Sequence, residues 1–118
     1  MYYTTSAKNI LLGGLTINRL SLHTGNPGAD GTANEYAGDG YSRQNATFAA
    51  AEDGKRKLST AVVFGGEPSD SVSWLGFWST GTFRGAVALA AGGANTFDAS
   101  TGLLAILADD TYYGIDEC

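Results

Sequence analysis

Ser71-Val-Ser-Trp-Leu-Gly-Phe-Trp78 is the most aromatic stretch of the chain, and its reading decides the fold class. Successive side chains of a strand point to opposite faces, which puts Val72, Trp74 and Trp78 on one side and Leu75 and Phe77 on the other. Apolar residues on both sides predict a central strand covered on both faces, or one with a core on one face and a partner subunit on the other. Working outward toward the C-terminus, Gly81 turns the chain and residues 83–89 continue as a strand rich in small side chains. Residues 90–95, Ala-Ala-Gly-Gly-Ala-Asn, form a spacer. Residues 96–99 and 103–108 read as short strands around a Ser100-Thr-Gly102 turn, although the helix formers in 103–107 leave strand and helix both open. Tyr112, Tyr113 and Ile115 complete an edge ahead of the charged pair Asp116-Glu117.

Toward the N-terminus, Leu58, Thr60, Val62 and Phe64 share one strand face, while Lys57, Ser59, Ala61 and Val63 share the other. Asp53-Gly54 tolerates positive φ, so residues 41–48 and 57–64 are the arms of a predicted hairpin. Before it lies a connection over residues 25–40, long for a compact domain and therefore functional or mobile in expectation. In residues 17–23 Leu20 and Leu22 alternate with Arg19, Ser21 and His23, the pattern of a half-buried strand with one polar face. Residues 4–15 begin with hydroxyl side chains that can accept orphan helix N–H groups, and Gly13-Gly14 supplies a stop. Ala7, Ile10, Leu11 and Leu15 form one apolar stripe of that short helix. Tyr2 and Tyr3 ahead of it point to docking on the body or on a neighbour.

Six or seven short strands with glycine-rich turns predict a mainly β chain, a single-domain antiparallel β-sandwich over residues 1–118, with a jelly-roll arrangement as one option. Residues 1–16 form an N-terminal arm with the short helix. The 118 residues suffice for one core without disulfides or metals. Charged residues make up only 16% while 17 glycines are present, a composition of turns and close contacts. A net charge of −5 repels phosphate chains, so no nucleic-acid partner is expected. The basic cluster Lys55-Arg56-Lys57 is too short for a polyanion patch and reads as a solvated turn or a gatekeeper beside a sticky strand. The single Cys118 permits no intrachain disulfide and no zinc set. Neither a signal peptide nor a membrane span is expected, so the chain is read as made in a cytoplasm without a membrane partner.

Candidate chemistry is sparse. His23 is the sole histidine and could act as a base beside Ser21 or Thr24, but the favoured reading is a hydrogen bond from its ring to the following loop. The acids Glu52 and Asp53 sit in a turn with no cleft to flank. Asp30, Thr32, Asn34 and Asp39 space oxygen ligands like a calcium loop, yet Glu35 and Tyr41 occupy the positions of its glycine and its bidentate glutamate. No glycine-rich piece matches a phosphate cradle. Asn45-Ala-Thr47 fits the glycosylation triplet but lacks the compartment for it. Trp74, Phe77 and Trp78 could stack sugars, with core or subunit packing the favoured use. No enzyme, metal or cofactor is expected.

Residues 20–28, LSLHTGNPG, followed by GTANE at 31–35 and GDGYSR at 38–43, resemble a segment of a family of small tailed-bacteriophage structural proteins. In that family a short N-terminal helix precedes the motif, and the likeness continues at lower specificity through Trp74-Leu-Gly-Phe-Trp78 and Gly81. It departs at 103–107 and 112–113. The resemblance implies a virion component of β-sandwich type, labelled a tail fibre or minor capsid protein, with no catalytic residues. The expected role is a capsid decoration protein on the outer capsid surface that stabilises the shell. Its partners are the major capsid protein and further copies of itself, a trimer being the candidate stoichiometry. The alternative is a tail-fibre component that contacts host glycans. Interface candidates are Tyr2, Tyr3, Ile10, Leu11, Tyr36, Tyr41, Tyr112 and Tyr113, aromatic and aliphatic groups that anchor interfaces when buried.

Overall fold

The computed structural model describes residues 4–89, 95–107 and 111–114. In chain order these form helix α1 (Thr5–Gly13) and strands β1 (Arg19–His23), β2 (Gln44–Asn45), β3 (Lys55–Lys57), β4 (Val62–Gly65), β5 (Trp74–Ser79), β6 (Thr82–Ala88), β7 (Leu103–Ile106) and β8 (Tyr112–Gly114). All the pairings among them are antiparallel. Four strands make one sheet in the order β2-β1-β5-β6, and β3–β8 and β4–β7 are two-stranded ribbons. The fold is thus mainly β with one short helix, as the strand spacing predicts. The layer opposite the large sheet consists of the two ribbons instead of the second continuous sheet of a jelly roll.

One face of the sheet carries Leu20 and Leu22 of β1 beside Phe77 and Leu75 of β5. These four join Phe48, Leu58, Val62, Phe64, Leu104 and Ile106 in a single buried cluster, so the ribbons close the core from the other side. Two aromatic groups fill its ends. Phe48, Phe77 and Tyr113 meet with centroids 4.9–6.1 Å apart, and Tyr36 stacks on Phe97 at 5.0 Å while meeting Tyr41 edge-on at 5.5 Å, separations typical of favourable aromatic pairs.

Local chemistry explains the elements. The Thr4 hydroxyl accepts the Ala7 N–H at 3.1 Å and caps α1, which ends at Gly13. Glu52 and Lys55 exchange both backbone hydrogen bonds around Asp53 and Gly54, whose φ values are 54° and 75°. That is the tight turn expected of the hairpin. Its arms pair at Phe48 and Leu58 without forming a long ladder, and Arg56 reaches back to the carbonyls of Ala49, Phe48 and Leu15. The 103–107 ambiguity resolves as strand: β7 pairs with β4 through Val62–Ile106 and Phe64–Leu104 and buries both inward pairs. At the preceding turn Asp98 Oδ1 accepts from the Ser100 hydroxyl and N–H and from the Thr101 N–H. The Ser100 hydroxyl above all, then these N–H groups, hold the Asp98 carboxyl down at about 2.

One expectation is corrected. The 17–23 strand is not half-buried: Ser21 and His23 are as fully enclosed as Leu20 and Leu22. The α1 stripe is divided: Leu15 packs against the core, whereas Ile10 is 74% and Leu11 48% exposed. The helix rests on the 52–55 turn by its polar side. Lys8 is buried over Gly54, and Asn9 Oδ1 accepts the Gly54 N–H at 2.9 Å.

Candidate functional site

The 25–40 connection folds back across the second face of the sheet, where β1 and β5 place Arg19, Ser21 and His23 beside Trp78, Gly76 and Trp74. His23 and Glu35 form a bridge, and Thr24 and Tyr36 donate their N–H groups to Asn34 O and Leu22 O. Residues 34–36 therefore prolong the sheet beyond β2 along the same edge of β1. Between the two segments the Tyr41 hydroxyl accepts the Leu22 N–H at 3.0 Å and donates to Glu35 Oε2 at 2.7 Å, filling a gap in the ladder.

A buried relay pins the loop. The Ala33 carbonyl can only accept, so the 3.0 Å contact with His23 Nδ1 puts the ring proton there. In the neutral ring Nε2 is then an acceptor, the Ser21 hydroxyl donates to it at 2.7 Å, and Ser21 Oγ accepts from Trp78 Nε1 at 2.8 Å. Gly76 makes the room, since a Cβ there would overlap Ser21 Oγ and lie 3.0 Å from His23 Nε2. No buried side-chain polar atom among the described residues lacks a partner.

Beside the relay, Glu35 takes a two-pronged ion pair from Arg43, with both contacts at 2.9 Å, and the guanidinium lies 3.8 Å over the Trp78 ring. Burial pushes the Glu35 carboxyl up, but the Arg43 fork and the Tyr41 hydroxyl outweigh it and leave it below its ordinary value. Burial first, then the Glu35 bond, raises the Tyr41 hydroxyl despite the opposing Leu22 N–H. Gly31, at φ 74°, lies against Phe83, whose ring a Cβ at Gly31 would strike. The loop is thus held at Ala33, Glu35, Gly31 and the buried Pro27, and it is a structural lid on the sheet. The Ser21–His23 pair has the geometry of a nucleophile and base, but both side chains are fully enclosed. Glu35 spends its oxygens on Arg43 and Tyr41 instead of facing Asp30 and Asp39, which are exposed. Among the described residues no group of acids, cysteine or histidine is placed to hold a metal.

The interface candidates separate by placement. Tyr36 is a core residue, 7% exposed, with its hydroxyl donating to Asp70 and accepting the Glu67 N–H. With so little of it accessible, the ring serves the core in this structure. Tyr41 and Tyr113 are half-buried and fully engaged, Tyr113 donating to Leu15 O at 2.8 Å. Ile10, Leu11 and Tyr112 are exposed, whereas Tyr2 and Tyr3 lie outside the described residues.

A surface absent from that set is the outer face of the β4–β7 ribbon. Val63 lies opposite Ala105 and Gly65 opposite Leu103, with Val63 and Leu103 each 49% exposed. Ala61 and the 56% exposed Leu107 continue it. Its signal in the sequence is the absence of polar alternation in residues 61–65 and 103–107: Val63 is grouped with Lys57 and Ser59 when the whole arm is read as one strand, and only the ribbon isolates it among apolar neighbours.

No protein of curated function and no solved structure matches the chain. A family model described as Podophage GP4 fiber I protein gp80 matches residues 15–102, a segment that starts after α1, contains the whole relay and loop, and stops where the resemblance departs. With most of its length matched, the chain belongs to the podophage GP4 fiber I protein gp80 family of phage structural proteins.

Proposed function

We propose that this chain is a non-catalytic structural module of a virion fibre, acting through noncovalent contacts with copies of itself and with neighbouring virion proteins. As a member of that family it is a component of the phage particle. The observation that carries the fibre reading is the family match across residues 15–102, which takes in the entire sheet and the loop clamped to it. A non-catalytic role is supported by the enclosure of Ser21 and His23 and by the neutralisation of Glu35 by Arg43. A net charge of −5 speaks against a nucleic-acid partner. Ile10, Leu11, Tyr112 and the outer face of the β4–β7 ribbon are the accessible contact groups, and many weak copies acting together gain by avidity.

A second reading, decoration of the outer capsid surface by contact with the major capsid protein, is favoured by the overall dimensions of 46 × 27 × 25 Å, a brick more than a rod. Immunogold labelling of intact virions separates the two. Gold on fibres supports the first, gold over the head surface replaces it with the second, and absence of label from purified virions overturns both.

A further inference from the structure

We propose that two copies of the chain pair edge to edge through β6, antiparallel about a two-fold axis at Val87, so that their large sheets join into one continuous sheet. The inference deepens the self-association in the proposed function and rests on it, and it is independent of the choice between fibre and capsid.

β6 is the longest strand among the described residues, and within the sheet it is bonded on one side only, to β5. The Leu89 N–H bonds Ser73 O, and on the far side of β5 the Trp78 carbonyl accepts the Asn18 N–H. Antiparallel alternation then turns the backbone groups of Gly85 and Val87 toward β5 and those of Ala86 and Ala88 away from it. Among the described residues nothing bonds these outward groups, and Ala86, Val87 and Ala88 are all exposed. An open edge of this length templates a further strand unless charge, proline or a bulge blunts it. The blunting features of β6, Arg84 and the bulge opposite Phe77 and Trp78, sit in its first half and leave residues 85–89 without charge or proline.

The occupant that fits this edge is the same strand of a second copy. With Val87 opposite Val87 on the axis, Ala86 of each copy lies opposite Ala88 of the other, so every outward N–H of these residues meets an outward carbonyl. A two-fold axis normal to the sheet keeps its faces matched, and pairing with Phe77 and Leu75 puts Gly85 and Val87 on the core face. Val87, 47% exposed at the margin of that face, closes on Val87 of the second copy. Leu89, partly packed against the core, lies opposite Gly85 of the second copy, where a Cβ would meet open space and a leucine has room. Centring the pair on Ala86 instead sets the bulged Arg84 against Ala88 and leaves the Gly85 gap to Val87. A foreign strand can match the backbone, but leucine at the gap on both sides of the axis is a property of this sequence read against itself. Charge permits the approach: Arg84 is the one charged residue in 71–97, and this register holds the two Arg84 side chains about 20 Å apart along the strands. The contact is isologous and closes at two copies.

Light scattering on the full chain over a concentration series, with hydrogen exchange on the same samples, tests this. The wild type forms a dimer, and its Ala86 and Ala88 amides exchange faster on dilution. Ala86→Pro removes an N–H that a single copy does not use and raises the dissociation constant at least ten-fold with unchanged circular dichroism. Val87→Lys gives the same result if proline disturbs the strand. In V87C/C118S one thiol per chain remains, and oxidised glutathione yields a disulfide-linked dimer, because directly opposed residues of this kind sit about 4.5 Å apart at Cα. T60C/C118S, with its thiol at the exposed Thr60 position, does not cross-link. A monomeric wild type overturns both this contact and the self-association it rests on, whether the two amides exchange fast or are protected at every concentration by another segment of the same chain. Assembly that ignores Ala86→Pro and Val87→Lys overturns the contact alone, and assembly that both variants abolish without a V87C cross-link overturns the axis at Val87.

Discussion

Removing the Ser21 hydroxyl is expected to be among the costliest single-atom changes in the chain. Ser21→Ala leaves the Trp78 N–H and His23 Nε2 without partners in a fully enclosed site. Each buried orphan costs about 1–3 kcal/mol, so the pair costs about 2–5 kcal/mol after allowing for relaxation, against a total of roughly 5–15 kcal/mol for a domain. Water is a poor replacement, because Gly76 approaches so closely that not even a Cβ fits beside the hydroxyl. In urea, with a slope of about 2 kcal/mol per M, the unfolding midpoint falls by roughly 1–2.5 M. Tryptophan fluorescence follows the transition, and the exposed Thr60→Ala serves as control, expected within about 0.5 kcal/mol of wild type. Nitrogen chemical shifts of His23 in the wild type should show a proton on Nδ1. A Ser21→Ala loss below about 0.5 kcal/mol, or a ring protonated on Nε2 alone, would refute the relay.

Glu35→Gln should destabilise the protein by about 1–2 kcal/mol near neutral pH, discounted for the partial exposure of the Arg43 pair. Because the folded Glu35 carboxyl lies below its unfolded value of 4.5, its stabilisation is complete above that value and is lost as pH falls through the folded one. Urea midpoints of wild type and variant should therefore converge in acid and diverge toward neutrality. Gly31→Ala combines positive φ with a clash against Phe83 and should cost about 2–4 kcal/mol in thermal unfolding, with protection from proteolysis reduced in residues 25–40. Tyr113→Phe keeps the ring beside Phe48 and Phe77 but drops the bond to Leu15 O, a loss of about 1 kcal/mol that hydrogen exchange should register at residues 14–17.

Much of the architecture is legible along the chain because it depends on short-range rules. Alternation in SVSWLGFW places β5 at the centre of a sheet, Asp53-Gly54 specifies a turn with positive φ, and Thr4 with Gly13 brackets α1. The reading of His23 as a residue that bonds its following loop also holds, since the ring meets Ala33, ten residues on. What pattern alone misjudges is which polar face sees water. Ser21 and His23 alternate with leucines as solvent-facing residues would, and Tyr36 reads as a loop-borne anchor.

The chain by itself determined a β-rich antiparallel fold with a capped helix, an acidic surface, and a long motif-bearing connection, because backbone propensity, side-chain alternation and charge are local or additive quantities. Only the tertiary structure decided that the connection is a lid, that Ser21, His23 and Trp78 make a sealed relay, and that Ile10 and Val63 stay uncovered. Burial is set by which segments return from far along the chain. Ala33 and Arg43 come back over β1 and β5, whereas no described segment comes back over α1 or the outer side of β4–β7.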